Sequence, residues 1–371
     1  MSDQNSFPQK EPRFGKTIKN DFKQLKIKED LGDEYKSLKE YYLTDERKKK
    51  LETLGGCRRF FLIPWWLLKA LFFKLTPFRR ILLLIAIFSI LISGDNQIND
   101  NNVNINLVTP ALIGGLILIF ILALELKDKL LARTELEEGR AIQVALMPDR
   151  NPVVPGWDIW LYTRSANDVG GDLLDFIRLD ENKYAIAVGD VAGKGLSAAL
   201  LMAKLQATIR ALAFDYESLQ KLGEKLNEIF YRDSLPKIFA SLLYIEVESN
   251  SNSVQFLNAG HFPPMVLSEN NIQQLRKDAP ALGLMPSAEF HEQSIQIKKD
   301  DMIFIYSDGL TEAQNEIGEF FGEEKLIEIL RNNSSKQSQQ IGEELILLVN
   351  DFVGKAPVFD DLTISILKRT G

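Results

Sequence analysis

Four short acidic motifs constrain this 371-residue chain more than any other feature. They read Val169-Gly170-Gly171-Asp172, Gly189-Asp190-Val191-Ala192-Gly193-Lys194-Gly195, Ser307-Asp308-Gly309-Leu310-Thr311-Glu312 and Phe359-Asp360-Asp361-Leu362-Thr363. Each lies at the end of an apolar strand-like run or just beyond it, so each offers a carboxylate where a sheet gives way to a loop. Carboxylates gathered at strand ends suit hard divalent cations such as Mg²⁺ or Mn²⁺, which take oxygen ligands. Two such ions can activate a water and clamp a phosphoryl group. The pattern points to metal-dependent phosphate-ester hydrolysis.

Composition removes several other chemistries. The net charge of -7 does not suggest a nucleic-acid surface, and no nucleic-acid partner is expected. A single cysteine, Cys57, excludes an internal disulfide framework and a zinc-thiolate site. Two histidines, His261 and His291, are too few for a His-rich metal site. No Gly-x-Ser-x-Gly elbow marks a serine nucleophile. Gly193-Lys194-Gly195 is not a phosphate-binding P-loop, because no Ser or Thr follows the lysine and the first glycine stands too close.

The length allows about two domains, and the chain changes character along its course. Residues 1–59 form a polar, lysine-rich tail. Its clusters Arg47-Lys48-Lys49-Lys50 and Arg58-Arg59 read either as a solvated tail or as an anchor for anionic lipid headgroups. Residues 60–78 mix Trp65, Trp66 and several phenylalanines with spaced lysines, which suits a membrane–water interface. Over 79–126 two apolar runs, Ile81–Ser93 and Leu107–Leu126, predict two transmembrane helices. The competing reading is a buried helical hairpin in a soluble protein. The apolar run begins too far in for a signal peptide. The connecting loop, 94–106, holds no Lys or Arg, whereas Arg79, Arg80, Lys127, Lys129 and Arg133 flank the pair. The positive-inside rule then places both termini in the cytoplasm of a multi-pass protein of the cell membrane. Residues 127–148 predict a helix stopped by Pro148, which reads equally as a spacer or as a dimerising, signalling element.

Beyond Pro152, strand-like and helix-like segments alternate. Strands are expected at Trp157–Thr163, Leu173–Leu179, Tyr184–Gly189, Ser241–Val247, Ser253–Leu257, Met265–Leu267, Ser294–Ile297, Met302–Ser307 and Leu362–Leu367. Helices are expected at Ser197–Phe214, Glu217–Phe230, Lys325–Asn332 and Gln340–Val353. Many strands with pairs of helices predict a layered α+β domain over 149–371.

With the four motifs in this order, the chain resembles the PPM-type (type 2C) metal-dependent serine/threonine phosphatases, and most of all their bacterial SpoIIE/RsbU branch. Ala141-Ile142-Gln143-Val144-Ala145-Leu146-Met147-Pro148, Asn258-Ala259-Gly260-His261-Phe262-Pro263-Pro264 and Ala281-Leu282-Gly283-Leu284 agree with that branch. The resemblance covers roughly residues 130–368. It implies a four-layer αββα sandwich and two Mn²⁺ or Mg²⁺ ions. It also implies that Asp190 bridges both ions, that the Val191 backbone carbonyl meets one of them, and that Asp308 and Asp360 are ligands. Asp172 would serve the second ion directly or through water, and Asp361 is a second-choice ligand. Two ions would lower the pKa of a water for in-line attack, with no phosphoenzyme. A phosphorylated regulatory protein, such as an anti-sigma-factor antagonist, is the implied partner, and the resemblance favours the dimerising role of the linker helix.

Other residues keep more than one reading. Each aspartate taken singly could be a turn or helix cap. His261 reads as a general acid or as a turn residue, and Glu312 as a helix-start acid or a residue behind the site. The phosphate-binding arginine of eukaryotic relatives has no clear counterpart, although Arg164 is near in sequence. Two rival functions remain: a scaffold that kept the fold without activity, and a phosphatase of small phosphate esters.

Overall fold

In the computed structural model of the chain the described residues are 56–92, 99–100, 103–104, 108–216, 218–234, 238–268, 271–277 and 279–371. They fall into two compact units, 1–129 and 130–371. The expected tail lies outside the described residues save for 56–59, and the expected loop 94–106 save for two short strands.

The first unit contains α1 (Gly56–Lys74), α2 (Pro77–Ile92), the paired strands β1 (Asn99–Asp100) and β2 (Val103–Asn104), and the start of α3 (Val108–Leu146). Pro77 opens α2 at the position where a missing N–H costs nothing. The segment 60–78, read from sequence as interfacial, is largely the body of α1. Helices α2 and α3 run antiparallel. Arg79 at the start of α2 pairs with Glu125 and Asp128 of α3, both at 2.6 Å, while a Cβ at Gly114 would collide with Ala86 and Ile90. The outward faces stay apolar and bare: Leu91 is 76% exposed and Leu122 67%. Among the described residues only α3 is long and apolar enough to cross a membrane, with mean hydropathy 2.1 in its most apolar stretch. At 16 residues α2 is about 24 Å long, short of the roughly 30 Å of a hydrocarbon core. Helix α3 runs through the expected boundary at 126/127 and on to Leu146, where Met147-Pro148 ends it, while the two compact units meet at 129/130.

The second unit is built on two five-stranded antiparallel sheets. The first has the order β10-β7-β6-β5-β4 and the second β3-β12-β11-β8-β9. Their strands are β3 (Trp157–Arg164), β4 (Asp172–Arg178), β5 (Lys183–Val191), β6 (Ala240–Glu248), β7 (Ser253–Ala259), β8 (Met265–Ser268), β9 (Asn271–Gln274), β10 (Gln293–Gln296), β11 (Met302–Tyr306) and β12 (Leu362–Arg369). Between the sheets lies a core that includes Leu161, Ile186, Val188, Leu243, Ile245 and Ile305. On the outer face of the first sheet, α4 (Leu196–Leu212) and α5 (Leu219–Asp233) bury Met202, Leu205, Leu226 and Phe230. On the outer face of the second, α7 (Glu323–Asn333) and α8 (Ser338–Val353) cover Trp160, Phe304 and Ile364. The result is a four-layer αββα sandwich. Strands covered on both faces need apolar residues throughout, which is why Met302-Ile303-Phe304-Ile305-Tyr306 shows no alternation and is wholly buried.

In the second unit two elements escaped the sequence pattern. β9 is short, polar and mostly exposed at the edge of its sheet, so it carries no alternation to detect. The single turn α6 (Asp308–Thr311) is too short for a periodic signal.

The close approach of α8 to β3 depends on Gly342, where a Cβ would overlap the Trp160 ring. Gly342→Ala is expected to destabilise the domain by about 1–3 kcal/mol through overpacking. Denaturant unfolding followed by tryptophan fluorescence measures it, and an unchanged midpoint would contradict this packing.

Candidate active site

The antiparallel register brings the four motifs to one edge of the sandwich. Asp172 opens β4 and pairs across the sheet with Asp190, near the end of β5. In the second sheet Asp308 follows the end of β11, and Asp360 and Asp361 precede β12, its antiparallel neighbour. All five carboxylates therefore emerge where the strand ends of both sheets meet.

Asp361 faces inward. Its carboxylate accepts hydrogen bonds from the backbone N–H of Ala166 at 2.7 Å, Gly171 at 2.6 Å and Asp172 at 3.3 Å. Its carbonyl accepts from Ser307 Oγ at 3.1 Å, and Ser307 Oγ in turn accepts from the Thr363 N–H at 2.9 Å. A side chain at Gly309 would strike the Asp361 carbonyl, so only glycine lets the Asp308 corner lie this close. Both of its oxygens thus accept backbone amides, so Asp361 holds the loops around Gly171 in position.

Asp172 is buried, and Thr363 Oγ1 donates to its Oδ2 at 2.5 Å. Burial, and then the Asp190 charge, push its carboxyl well above the usual range. Burial also raises Asp190, to about 7, helped by the charges of Asp308, Asp360 and Asp361. Asp308 is raised by burial and by Asp360. Burial is the larger cause in all three, with the neighbouring carboxylates adding to it. The Val191 side chain is buried while its carbonyl lies beside Gly171, where a Cβ would sit 3.2 Å away.

The donor set fits a hard divalent ion: exposed or half-buried carboxylate oxygens and a backbone carbonyl, in a region whose charge calls for a cation. As the side chains stand, however, no three Asp, Glu, His or Cys side chains among the described residues are grouped closely enough to hold a metal ion. Asp360 is turned instead toward Lys194, whose Nζ lies 3.0 Å from Oδ2.

His261 is not a general acid here. It is 1% exposed, and burial followed by the Lys277 charge lowers its pKa to about 4, so the ring is neutral. Its Nδ1 sits 3.0 Å from Ser241 Oγ, which accepts from the Asp190 N–H at 3.2 Å. It thus supports the backbone of β5 from behind. Glu312 and Arg164 line a small cleft with Gly309, Phe359 and Asp360, and Arg164 Nη1 donates to Asn350 at 2.9 Å.

Sequence reasoning missed the residues that support these carboxylates. Gln143, buried near the end of α3, exchanges both amide hydrogen bonds with Gly170: Nε2 donates to its carbonyl at 2.8 Å, and its N–H donates to Oε1 at 3.1 Å. Gln143 stands inside a stretch that resembles the family, but nothing in the pattern around it predicts a partner 27 positions away.

A family model described as "Stage II sporulation protein E (SpoIIE)" matches residues 180–370. Protein IcfG of Synechocystis sp. (strain ATCC 27184 / PCC 6803 / Kazusa) is 28% identical over 280 residues, 67% of this chain and 43% of IcfG. Phosphoserine phosphatase RsbU of Bacillus subtilis (strain 168) is 24% identical over 64% of this chain and 70% of RsbU. The chain thus spans less than half the length of IcfG. Among solved structures, the SiaA-PP2C domain of Pseudomonas aeruginosa shares the fold, with TM-score 0.58 and 20% identity over 66% of this chain and 99% of that domain. The chain belongs to the SpoIIE family, in the SpoIIE/RsbU branch of the PPM-type serine/threonine phosphatases.

In the metal-free protein Asp190 binds its proton more tightly when folded than when unfolded. Its ionisation therefore lowers stability as pH rises from about 4 through about 7. Asp190→Asn removes that cost. In excess chelator it should melt above wild type at pH 8, by about 2–4 °C per kcal/mol relieved, with the gap shrinking toward pH 5. Calorimetry across pH tests this, and a gap that widens toward low pH would contradict it.

Proposed function

We propose that this chain is a membrane-anchored protein-serine/threonine phosphatase that removes phosphate from a phosphorylated regulatory protein, with Mn²⁺ or Mg²⁺ at the cluster. The observation that carries the reading is the gathering of Asp172, Asp190, Asp308 and Asp360 from both sheets, close enough for burial and mutual charge to raise the carboxyls of the first three. A divalent cation bound there would favour the ionised carboxylates that burial and neighbouring charge otherwise disfavour. Asp190, Asp308, Asp360 and the Val191 carbonyl would hold the ions, with Asp172 reaching the second. When bound, the ions would acidify a water and offset charge on the phosphoryl oxygens.

The chain's own residues do the rest. Asp361, Ser307 and Thr363 fix the loops so that the carboxylates face one another before any ligand arrives. Ser241 and neutral His261 hold the β5 backbone at Asp190. The absence of a reactive cysteine motif in the sequence fits direct hydrolysis rather than a covalent route. A signalling substrate of the anti-sigma-factor-antagonist kind is favoured by the likeness to RsbU, which is named a phosphoserine phosphatase.

The membrane part of the proposal rests on the bare apolar faces of α2 and α3 and on the basic flanks around them. Two antiparallel spans would put both ends of the chain in the cytoplasm. Helix α3 then links the membrane to Gly170 through Gln143, and pairing of α3 between two copies is the regulatory arrangement we favour.

Activity of the full chain in detergent on a phosphoserine protein should require added Mn²⁺ or Mg²⁺ and cease with excess chelator. Asp308→Asn and Asp360→Asn should each lower turnover more than about a hundredfold, since losing a ligand exceeds the usual cost of losing a supporting residue. Full turnover after dialysis against chelator would sink the metal mechanism.

Deleting one residue near Glu137-Glu138 would rotate everything beyond it by about 100° relative to the upstream helix. If α3 controls the site, such deletions change activity far more than Glu137→Gln on its exposed face. Equal activity across the series would reduce α3 to a tether.

A further inference from the structure

One basic side chain reaches into the acidic edge. Lys194 lies on the turn between β5 and α4, four residues after Asp190. Its Nζ donates to the Phe359 carbonyl at 2.5 Å and to Asp360 Oδ2 at 3.0 Å, bridging the motif of the first sheet to that of the second. The ammonium also works against the repulsion at Asp190 and Asp308. It therefore stands where positive charge is most needed. Arg164 lines the neighbouring cleft but is engaged with Asn350.

The turn that carries Lys194 has open space at both of its glycines. Gly193 and Gly195 flank it with φ of +124° and +72°, conformations that other residues rarely adopt. No atom lies within 4 Å of where a Cβ would stand at either glycine, so nothing packs against the turn there. The side chain is 57% exposed and Asp360 42%, and an ion pair that open to water is weak. It can shift the affinity for divalent ions a few-fold but cannot bar them.

We propose that Lys194 is a substrate-binding residue which, until divalent ions load, rests on Asp360 as their stand-in and, once they load, is released to bind the substrate's phosphoryl oxygens. The inference rests on the phosphatase reading. The chemistry is that of a compact, strongly hydrated cation with three rotatable donors, suited to a phosphate dianion without fixed geometry. The carboxylates repel a phosphate dianion, so a cation on the same edge is needed beside the divalent ions, and Lys194 Nζ already lies there, 3.0 Å from Asp360 Oδ2. Loading of ions and readiness for substrate are then coupled through one carboxylate.

The test uses the full chain in detergent, with Lys194→Met and Lys194→Arg. Mn²⁺ affinity is read by titration calorimetry, and phosphate affinity by competition of inorganic phosphate in the Mn²⁺-loaded protein. Lys194→Met should bind Mn²⁺ about three- to fivefold more tightly, the scale of a lost exposed ion pair. The same variant should bind inorganic phosphate about tenfold more weakly, as for a lost charged hydrogen bond. Its KM for the phosphoprotein should rise more than its kcat falls. Lys194→Arg should keep most of the phosphate affinity. Mn²⁺ affinity that does not tighten, or phosphate affinity that does not change, in Lys194→Met overturns the proposal while the phosphatase reading stands. A wild-type protein that takes up no Mn²⁺ overturns both.

Discussion

The carboxylate of Asp361 is the fixed point on which the acidic edge depends. Three backbone N–H groups from the connection between β3 and β4 converge on it, and its own carbonyl takes the Ser307 hydroxyl from the other side. Hydrogen bonds to an ionised acceptor are about twice as strong as neutral ones. They hold in place an edge where burial, and then neighbouring charge, raises the carboxyls of Asp172, Asp190 and Asp308. Thr363 completes the stitch: its N–H reaches Ser307 and its hydroxyl reaches Asp172. One edge of the molecule therefore contains acids of two kinds, one that spends its charge on the fold and others whose charge is left for a ligand.

The cost at that edge is tolerable because the rest of the domain is ordinary and well buried. Side chains such as Ile186, Ile245 and Phe304 have no exposure, and each contributes roughly 1.5–3 kcal/mol relative to an exposed position. The helices that cover both outer faces also explain what was legible in the sequence. Double-sided burial writes continuous apolar runs, so β5, β6, β11 and β12 stood out, and the amphipathic helices α4, α5, α7 and α8 were readable from their 3.6-residue period. β9 left no mark because its exposed edge imposes no pattern. The continuity of α3 was hidden because polarity changes at Lys127 while the helix does not: composition marks a change of surroundings, and only a cap or breaker marks an end.

The site divides in the same way. Asp172, Asp190, Asp308 and Asp360 were legible because a carboxylate beside glycine at a strand end is a local feature. Their supporters were not, because Gln143, Ser241, Ser307 and Thr363 earn their positions only through partners that the fold brings from far along the chain. Thr363 and Asp172, for instance, are 191 positions apart. Asp361 and Asp360 are neighbours of the same type, and sequence cannot tell which turns inward. His261 shows the converse: a residue type associated with proton transfer is held neutral by burial, and its Nδ1 meets the Ser241 hydroxyl behind β5.

The end of α3 is tied to the site by two routes that share no residue. Through Gln143 it holds Gly170, two positions before Asp172. Through the carbonyl of Leu146 it accepts from Gln206 and Arg210 of α4, both at 3.0 Å. Arg210 is itself gripped by both oxygens of fully buried Asp175. With Arg210 partly open to water the pair is worth less than a fully buried one, but removing Arg210 would leave the buried Asp175 carboxyl without its partner. Helix α4 begins at the turn that carries Lys194. A shift of α3 would therefore reach the acidic edge from two sides at once, at the β4 entrance through Gly170 and at the start of α4 through its C-terminal half. Movement of one without the other would have to break either the Gln143 clamp or the Asp175–Arg210 pair. The buried parts of this linkage lie behind the carboxylates, and the open part, the turn Gly193-Lys194-Gly195, lies in front of them. If α3 regulates the site as proposed, a change in its position would reach the carboxylates through these supports.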